Sequence, residues 1–250
     1  MPDRSTEAWG IIPARGGSKS IPYKNLIELA GLPLIDYVAR AGEASTALSR
    51  LICSTEDGRI GGHAQELGLQ VDSRPRELAQ DDTPVVEVVC DLLRRAEQRN
   101  EALPEIVVLL QPTSPFVMPE HIDRLIEAIR AYPQAASGQT ITFCPHNSHA
   151  VNQRLFEDGK VTFVFQAERQ LAYNKQRKAP HYLFGNLVAA RTGALFETRS
   201  LFAAPSVGIP IPRIFSFDVD DADDLAVAGA LVSAGLVKFP WQKTKKRGGH

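Results

Sequence analysis

Cysteine is scarce and scattered: Cys53, Cys90 and Cys144 are the three in 250 residues, with no Cys-x-x-Cys spacing. Zinc sites and a disulfide framework are therefore disfavoured, and the thiols read as small core residues of a cytoplasmic protein. Net charge is nearly absent as well, 28 Lys and Arg against 29 Asp and Glu giving -1. Without a domain-wide basic field, nucleic acid is not expected as the main partner. No apolar run reaches the roughly 18 residues that span a bilayer, so no membrane segment is expected. No apolar signal region opens the chain either, since Asp3, Arg4 and Glu7 precede the first apolar stretch. Repeats and low-complexity segments are also missing. What is there is an ordinary globular composition, 44% hydrophobic and 23% charged, long enough for one substantial core with a small appendage.

Apolar runs and helical patterns alternate through the first half. Strands are expected over 8–13, 50–54, 69–71 and 106–110, and helices over 34–44, 60–67, 84–99 and 119–131. This alternation predicts a Rossmann-like, three-layer α/β fold with a mainly parallel sheet and helices on both faces. Between 141 and 184 the pattern changes to short β-like stretches (141–144 and 161–166) broken by Pro, Asn, Gly and charge, as in a hairpin-rich insertion. Strands over 187–190 and 214–217 and a helix over 222–234 close the fold. The expected organisation is a main domain of 1–140 and 185–237, an insertion of 141–184, and a basic tail of 238–250, with Lys243 to His250 expected to be disordered.

The run from Trp9 to Asn25 is the most informative. A short apolar strand ends in a loop holding Arg15, Gly16, Gly17, Ser18, Lys19, Lys24 and Asn25. The glycines let backbone amides approach an oxyanion, and three cations suit a triphosphate. The loop is neither a P-loop nor a dinucleotide fingerprint, because both consensus spacings are missing. Asp218 and Asp220, expected on one face of a strand end, suit a Mg2+ ion beside phosphates. Asp221, Asp223 and Asp224 read instead as the acidic first turn of a helix. Asn25 suits ribose or substrate hydroxyls, or a turn. Gln111 ends an apolar strand before Pro112 and so faces the cleft. Arg74 is held extended by Pro75, with a surface ion pair to Glu77 as the alternative. Thr83 offers a hydroxyl contact and an N-cap for the long helix.

The motif Pro-Ala-Arg-x-x-Ser-Lys with a following Lys-Asn, the pair Arg74-Pro75, the loop from Leu110 to Pro115 and Asp218-Val219-Asp220 occur here in order. Together they resemble the acylneuraminate (sialic acid) branch of the cytidylyltransferases that activate acidic sugars. That resemblance implies a nucleotidyltransferase fold and a homodimer joined through the insertion. It also implies CTP and an acidic small molecule as substrates, with Mg2+ as cofactor. Arg15, Lys19, Lys24 and Asp220 become the catalytic candidates, and Asp218 with Asp220 the metal ligands. Arg15, Gly16, Gly17, Ser18, Lys19, Asn25, Arg74 and Thr83 become nucleotide contacts, with Arg74 near the base. Gln111, Arg177 and Asn186 are the acceptor-side candidates, and His146 and His149 are weighed beside them. The acceptor half departs from the family: Val117 stands where an arginine is usual, no lysine follows Cys144 until Lys160, and a glycine and a tyrosine after Asn186 are missing. The acceptor is therefore expected to be an α-keto sugar acid of the nonulosonate type, with a phosphonate or Kdo-like acid as the alternative. A nucleotide-binding protein without turnover is the further one.

Overall fold

A computed structural model describes residues 6–17, 21–171 and 180–241. The chain opens with β1 (Ala8–Pro13) and a minimal hairpin of β2 (Glu28–Leu29) and β3 (Leu32–Pro33). Helix α1 (Leu34–Ala44), β4 (Arg50–Thr55), α2 (Gly58–Glu66), β5 (Gln70–Ser73), α3 (Val85–Gln98), β6 (Ile106–Leu109) and α4 (Pro119–Ala131) follow. The second half contains β7 (Ser137–Phe143), a hairpin of β8 (Arg154–Glu157) and β9 (Lys160–Phe163), and α5 (Gln166–Leu171). It ends with β10 (Tyr182–Arg191), α6 (Thr192–Thr198), β11 (Ser206–Pro210) and α7 (Ala222–Ser233). Seven strands form one sheet in the order β11-β7-β10-β6-β1-β4-β5. β6, β1, β4 and β5 run parallel, β11 runs parallel to β7, and β10 runs against both of its neighbours.

The layering follows from β1. Its residues are buried on both faces, as a central parallel strand requires. Trp9 and Ile11 pack with Val89, Leu93 and Leu195 of α3 and α6, while Ala8 and Ile12 pack with Ile35, Val38 and Ile126 of α1 and α4. Two apolar clusters, one on each face, make the three-layer α/β fold that the alternation of elements predicts. Through α4 the expected elements agree with the observed ones to within two residues.

The second half differs in three places. The stretch 214–217 is not a strand: it begins in a single 3-10 turn at Arg213–Phe215 and continues as irregular chain. Its Ile214, Phe215 and Phe217 pack into a third cluster with Phe116 and Tyr37, so their hydrophobicity reflects core packing rather than sheet pairing. The edge strand is β11 instead, whose exposed alternation and central Gly208 weaken its signal. Next, β7 runs on to Phe143 and β10 begins at Tyr182, so the segment leaving the sheet is 144–181, shorter than 141–184. Finally, Phe239 is buried and Trp241 stacks on it at 5.1 Å, so these two residues of the expected tail belong to the core. Residues 242–250 lie outside the described residues.

Candidate active site

Four parallel strands, β6, β1, β4 and β5, end on the same side of the sheet, where ligands of open α/β sheets bind. A cleft of about 520 Å³ opens there. Arg15 and Gly17 line it after β1, Arg74 after β5, Gln80, Asp81 and Thr83 before α3, and Gln111, Pro112 and Thr113 after β6. Lys24 and Asn25 complete the lining. Arg15 and Thr113, almost a hundred positions apart, thus meet because β1 and β6 are neighbours. Arg15 reaches across to Asp81 with Nη1 2.6 Å from Oδ1.

The glycine loop is held from behind. The Gly16 amide donates to Glu56 Oε1 at 2.8 Å, and a Cβ on Gly16 would stand 2.6 Å from the Asp57 carboxylate. Gly16 is therefore required by the close approach of the turn after β4, whereas no described residue crowds Gly17. Asn25 is buried and donates from Nδ2 to the Arg15 carbonyl at 2.8 Å, bracing the loop from the other side. Tyr23 takes a left-handed backbone (φ 51, ψ 39) that turns the chain into Lys24, and the Arg59 guanidinium covers its ring at 3.9 Å. A non-glycine residue there costs about 1 kcal/mol, offset here by that stacking. Ser18 and Lys19 lie outside the described residues.

Arg74 is buried and pairs with Glu56 at 2.7 Å, not with Glu77. Its Nε is buried without a partner. Thr83 lines the cleft without capping α3, whose N-cap is Pro84 with no side-chain bond.

The acidic segment converges on the same place. Residues 216–220 are irregular chain, not a strand. The Val219 amide donates to the Thr113 carbonyl at 2.8 Å, and Ser114 Oγ donates to Asp218 Oδ1 at 3.3 Å. Val219 is buried while Asp218 and Asp220 are exposed on either side of it. Lys24 Nζ donates to the Val219 carbonyl at 3.1 Å and lies 3.6 Å from Asp220 Oδ1. Behind this pair, Asp221 caps α7 through the Asp223 and Asp224 amides at 2.9 and 3.0 Å.

The acceptor candidates are scattered. Gln111 is in the cleft, whereas Arg177 lies outside the described residues. Asn186 is 2% exposed and does not line the cleft. It sits in a bulge where the β10–β7 register shifts, its amide donating to Thr140 Oγ1 at 2.8 Å and its Nδ2 to the Phe215 carbonyl at 2.9 Å. His149 is buried and stacks on His181 at 3.9 Å, and the His146 carbonyl accepts from Asn152, so both belong to the base of the small lobe. Val117 is fully buried in the core. Two features carried no sequence signal. Glu56 follows an ordinary strand end, and His121 is a buried histidine whose pKa burial pushes down to about 4.

Residues 9–192 match the family described as Cytidylyltransferase. The CMP-N,N'-diacetyllegionaminic acid synthase of Legionella pneumophila subsp. pneumophila is 30% identical over 89% of this chain and 94% of that protein. An N-acylneuraminate cytidylyltransferase of Escherichia coli is 28% identical over 89% of this chain, which spans 51% of that longer protein. Among solved structures, CMP:2-keto-3-deoxy-manno-octonic acid synthetase complexed with CTP superposes with a TM-score of 0.71 at 16% identity, covering 92% of this chain and 99% of that one. A 4-diphosphocytidyl-2C-methyl-D-erythritol synthase from Anaerococcus prevotii gives 0.59 at 16% identity, covering 91% and 96%. These two structures show a shared fold alone. The family match over most of the chain goes further: this chain belongs to the cytidylyltransferase family of nucleotidyltransferases.

Proposed function

We propose that the protein transfers the cytidylyl group of CTP to an acidic, nonulosonate-type sugar, giving a CMP-sugar and pyrophosphate. The observation carrying this reading is the convergence of Arg15, Lys24, Arg74 and Gln111 on one cleft, with Asp220 beside Lys24. A relative 30% identical over most of both chains is named as a CMP-N,N'-diacetyllegionaminic acid synthase, which supports an acidic sugar as acceptor.

In this reading Arg15 and Lys19 hold the phosphates, and Arg74 faces the carbonyl oxygen and ring nitrogen of cytosine, both acceptors. The acceptor's hydroxyl oxygen bonds to the α-phosphorus as the bridge to the β-phosphate breaks. The hydroxyl proton leaves to solvent, and pyrophosphate departs without a covalent enzyme intermediate. Such a transfer needs alignment and charge neutralisation more than covalent help. Lys24, held by Val219 and Asp220, supplies charge to the departing pyrophosphate. Gln111 and Arg177 are assigned to the acceptor, whereas Asn186 braces the sheet through Thr140 and Phe215.

The donor set suits Mg2+. Asp218 and Asp220 are exposed hard oxygen donors, Asp220 beside Lys24 and Asp218 beside Ser114, and the described residues contain no group of three or more His, Cys, Asp or Glu placed for a metal. The two carboxylates would hold the ion, leaving its other positions to phosphate oxygens and water. Bound there, it would neutralise phosphate charge.

A homodimer is part of the proposal. Phe156, Phe143 and Val161 are 73%, 62% and 60% exposed on the small hairpin and the adjoining end of β7. A two-stranded hairpin cannot cover such side chains alone, and a second copy of the same face would. Three buried free cysteines support a cytoplasmic setting.

The test is pyrophosphate release across CTP, UTP, GTP and ATP, each with a panel of sugar acids. Release should require CTP and a nonulosonate together. Release with only a phosphonate or Kdo-like acid would overturn the acceptor class, and preference for another nucleotide would overturn the cytidylyl reading.

A further inference from the structure

One carboxylate touches both halves of the nucleotide cleft. Glu56 follows β4, the middle strand of β1-β4-β5. Its neighbours end in the two groups it holds: Gly16 after β1, through Oε1 at 2.8 Å, and Arg74 after β5, through Oε2 at 2.7 Å. The Glu56 side chain is 15% exposed and does not line the cleft, so it acts from behind the wall. We propose that Glu56 is a positioning residue that sets base selectivity by fixing the Arg74 guanidinium relative to the phosphate loop. This rests on the CTP-dependent reading above.

Cytosine and uracil share a carbonyl but differ at the ring nitrogen: cytosine presents an acceptor there, uracil an N–H donor. A guanidinium held in place favours the acceptor and meets the donor unfavourably; one free to shift loses that contrast. The Arg74 side chain is 4% exposed, and its Nε already lacks a partner. Removing the Glu56 charge therefore leaves a buried cation with less compensation and more freedom. The same substitution loosens the Gly16 amide, so placement of the base and the phosphates fails together.

Glu56→Gln keeps the size and an acceptor oxygen but loses the charge. KM for CTP should rise about tenfold, kcat should fall less than about threefold, and the CTP-over-UTP preference in kcat/KM should drop about tenfold. Glu56→Asp, which keeps the carboxylate, should fall between Glu56→Gln and the wild type. In an Arg74→Ala background, Glu56→Gln should cost no further base preference. A merely structural role would weaken CTP and UTP equally, and an unchanged preference in Glu56→Gln overturns the inference while CTP-dependent turnover stands. Should Glu56→Gln fail to fold, calorimetric binding of CTP and UTP to Glu56→Asp decides: a lowered preference supports the inference, and wild-type preference overturns it. A wild-type protein that binds no CTP refutes the functional reading itself, and this inference with it.

Discussion

Lys24 is held by one short segment, through the Val219 carbonyl at 3.1 Å and Asp220 at 3.6 Å, and its side chain is 15% exposed. A lysine so placed should matter most when charge develops, so Lys24→Ala should lower kcat about a hundredfold while raising KM for CTP far less. Steady-state kinetics check this, and a rise in KM alone would make Lys24 a binding residue. Asp220→Asn should lose about a hundredfold in turnover, and Asp218→Asn less, because Asp218 is the one bonded to Ser114. Unchanged turnover at saturating magnesium would remove that residue from the proposed metal site. Arg15, Gly17 and Lys24 were legible as cleft residues because cations and glycines gather in the loop after an apolar strand, whereas the acidic pair was marked by its spacing alone and lies on irregular chain. Glu56 was not legible, since its partners lie forty and eighteen residues away and meet it only through strand order. Asn186 was misleading because a bulge, invisible in the residue pattern, turns it inward.

The acidic run from Asp218 to Asp224 divides between two jobs along one element boundary. Asp221 and Asp224 form a reciprocal cap at the start of α7, Asp221 Oδ1 accepting from the Asp224 amide at 3.0 Å and Asp224 Oδ2 from the Asp221 amide at 3.3 Å. Asp221→Ala should therefore cost about 1 kcal/mol of stability in denaturant unfolding. Asp220→Asn, with its side chain 77% exposed, should leave stability nearly unchanged. The two substitutions separate helix capping from chemistry within two residues. Element type was legible wherever a strand is buried on both faces or a helix shows a continuous apolar stripe. It failed at β11, a half-exposed edge, and at 214–217, whose aromatic side chains serve the C-terminal cluster.

For the molecule as a whole, His121 links stability to pH. Burial depresses its pKa from 6.5 to about 4, and it sits beside the Met118 amide and Asn186. The unfolded chain takes up its proton first. This contribution is therefore intact above about pH 6.5 and is lost as pH falls toward 4, by up to about 3 kcal/mol. His121→Asn, whose amide oxygen can accept from Met118, should flatten the wild-type fall in Tm over that window. An identical fall in both proteins would contradict it. The proposed dimer should sediment as such at micromolar concentration and dissociate in Phe156→Glu, and a wild-type monomer would overturn it.

The central claim is cytidylyl transfer to a nonulosonate, and phosphorus NMR of the protein with CTP, magnesium and a nine-carbon α-keto sugar acid tests it most directly. The account predicts a CMP phosphodiester resonance growing in equal amount with pyrophosphate. CTP left unchanged with every such acid, or converted to CMP and pyrophosphate without a sugar ester, would contradict it.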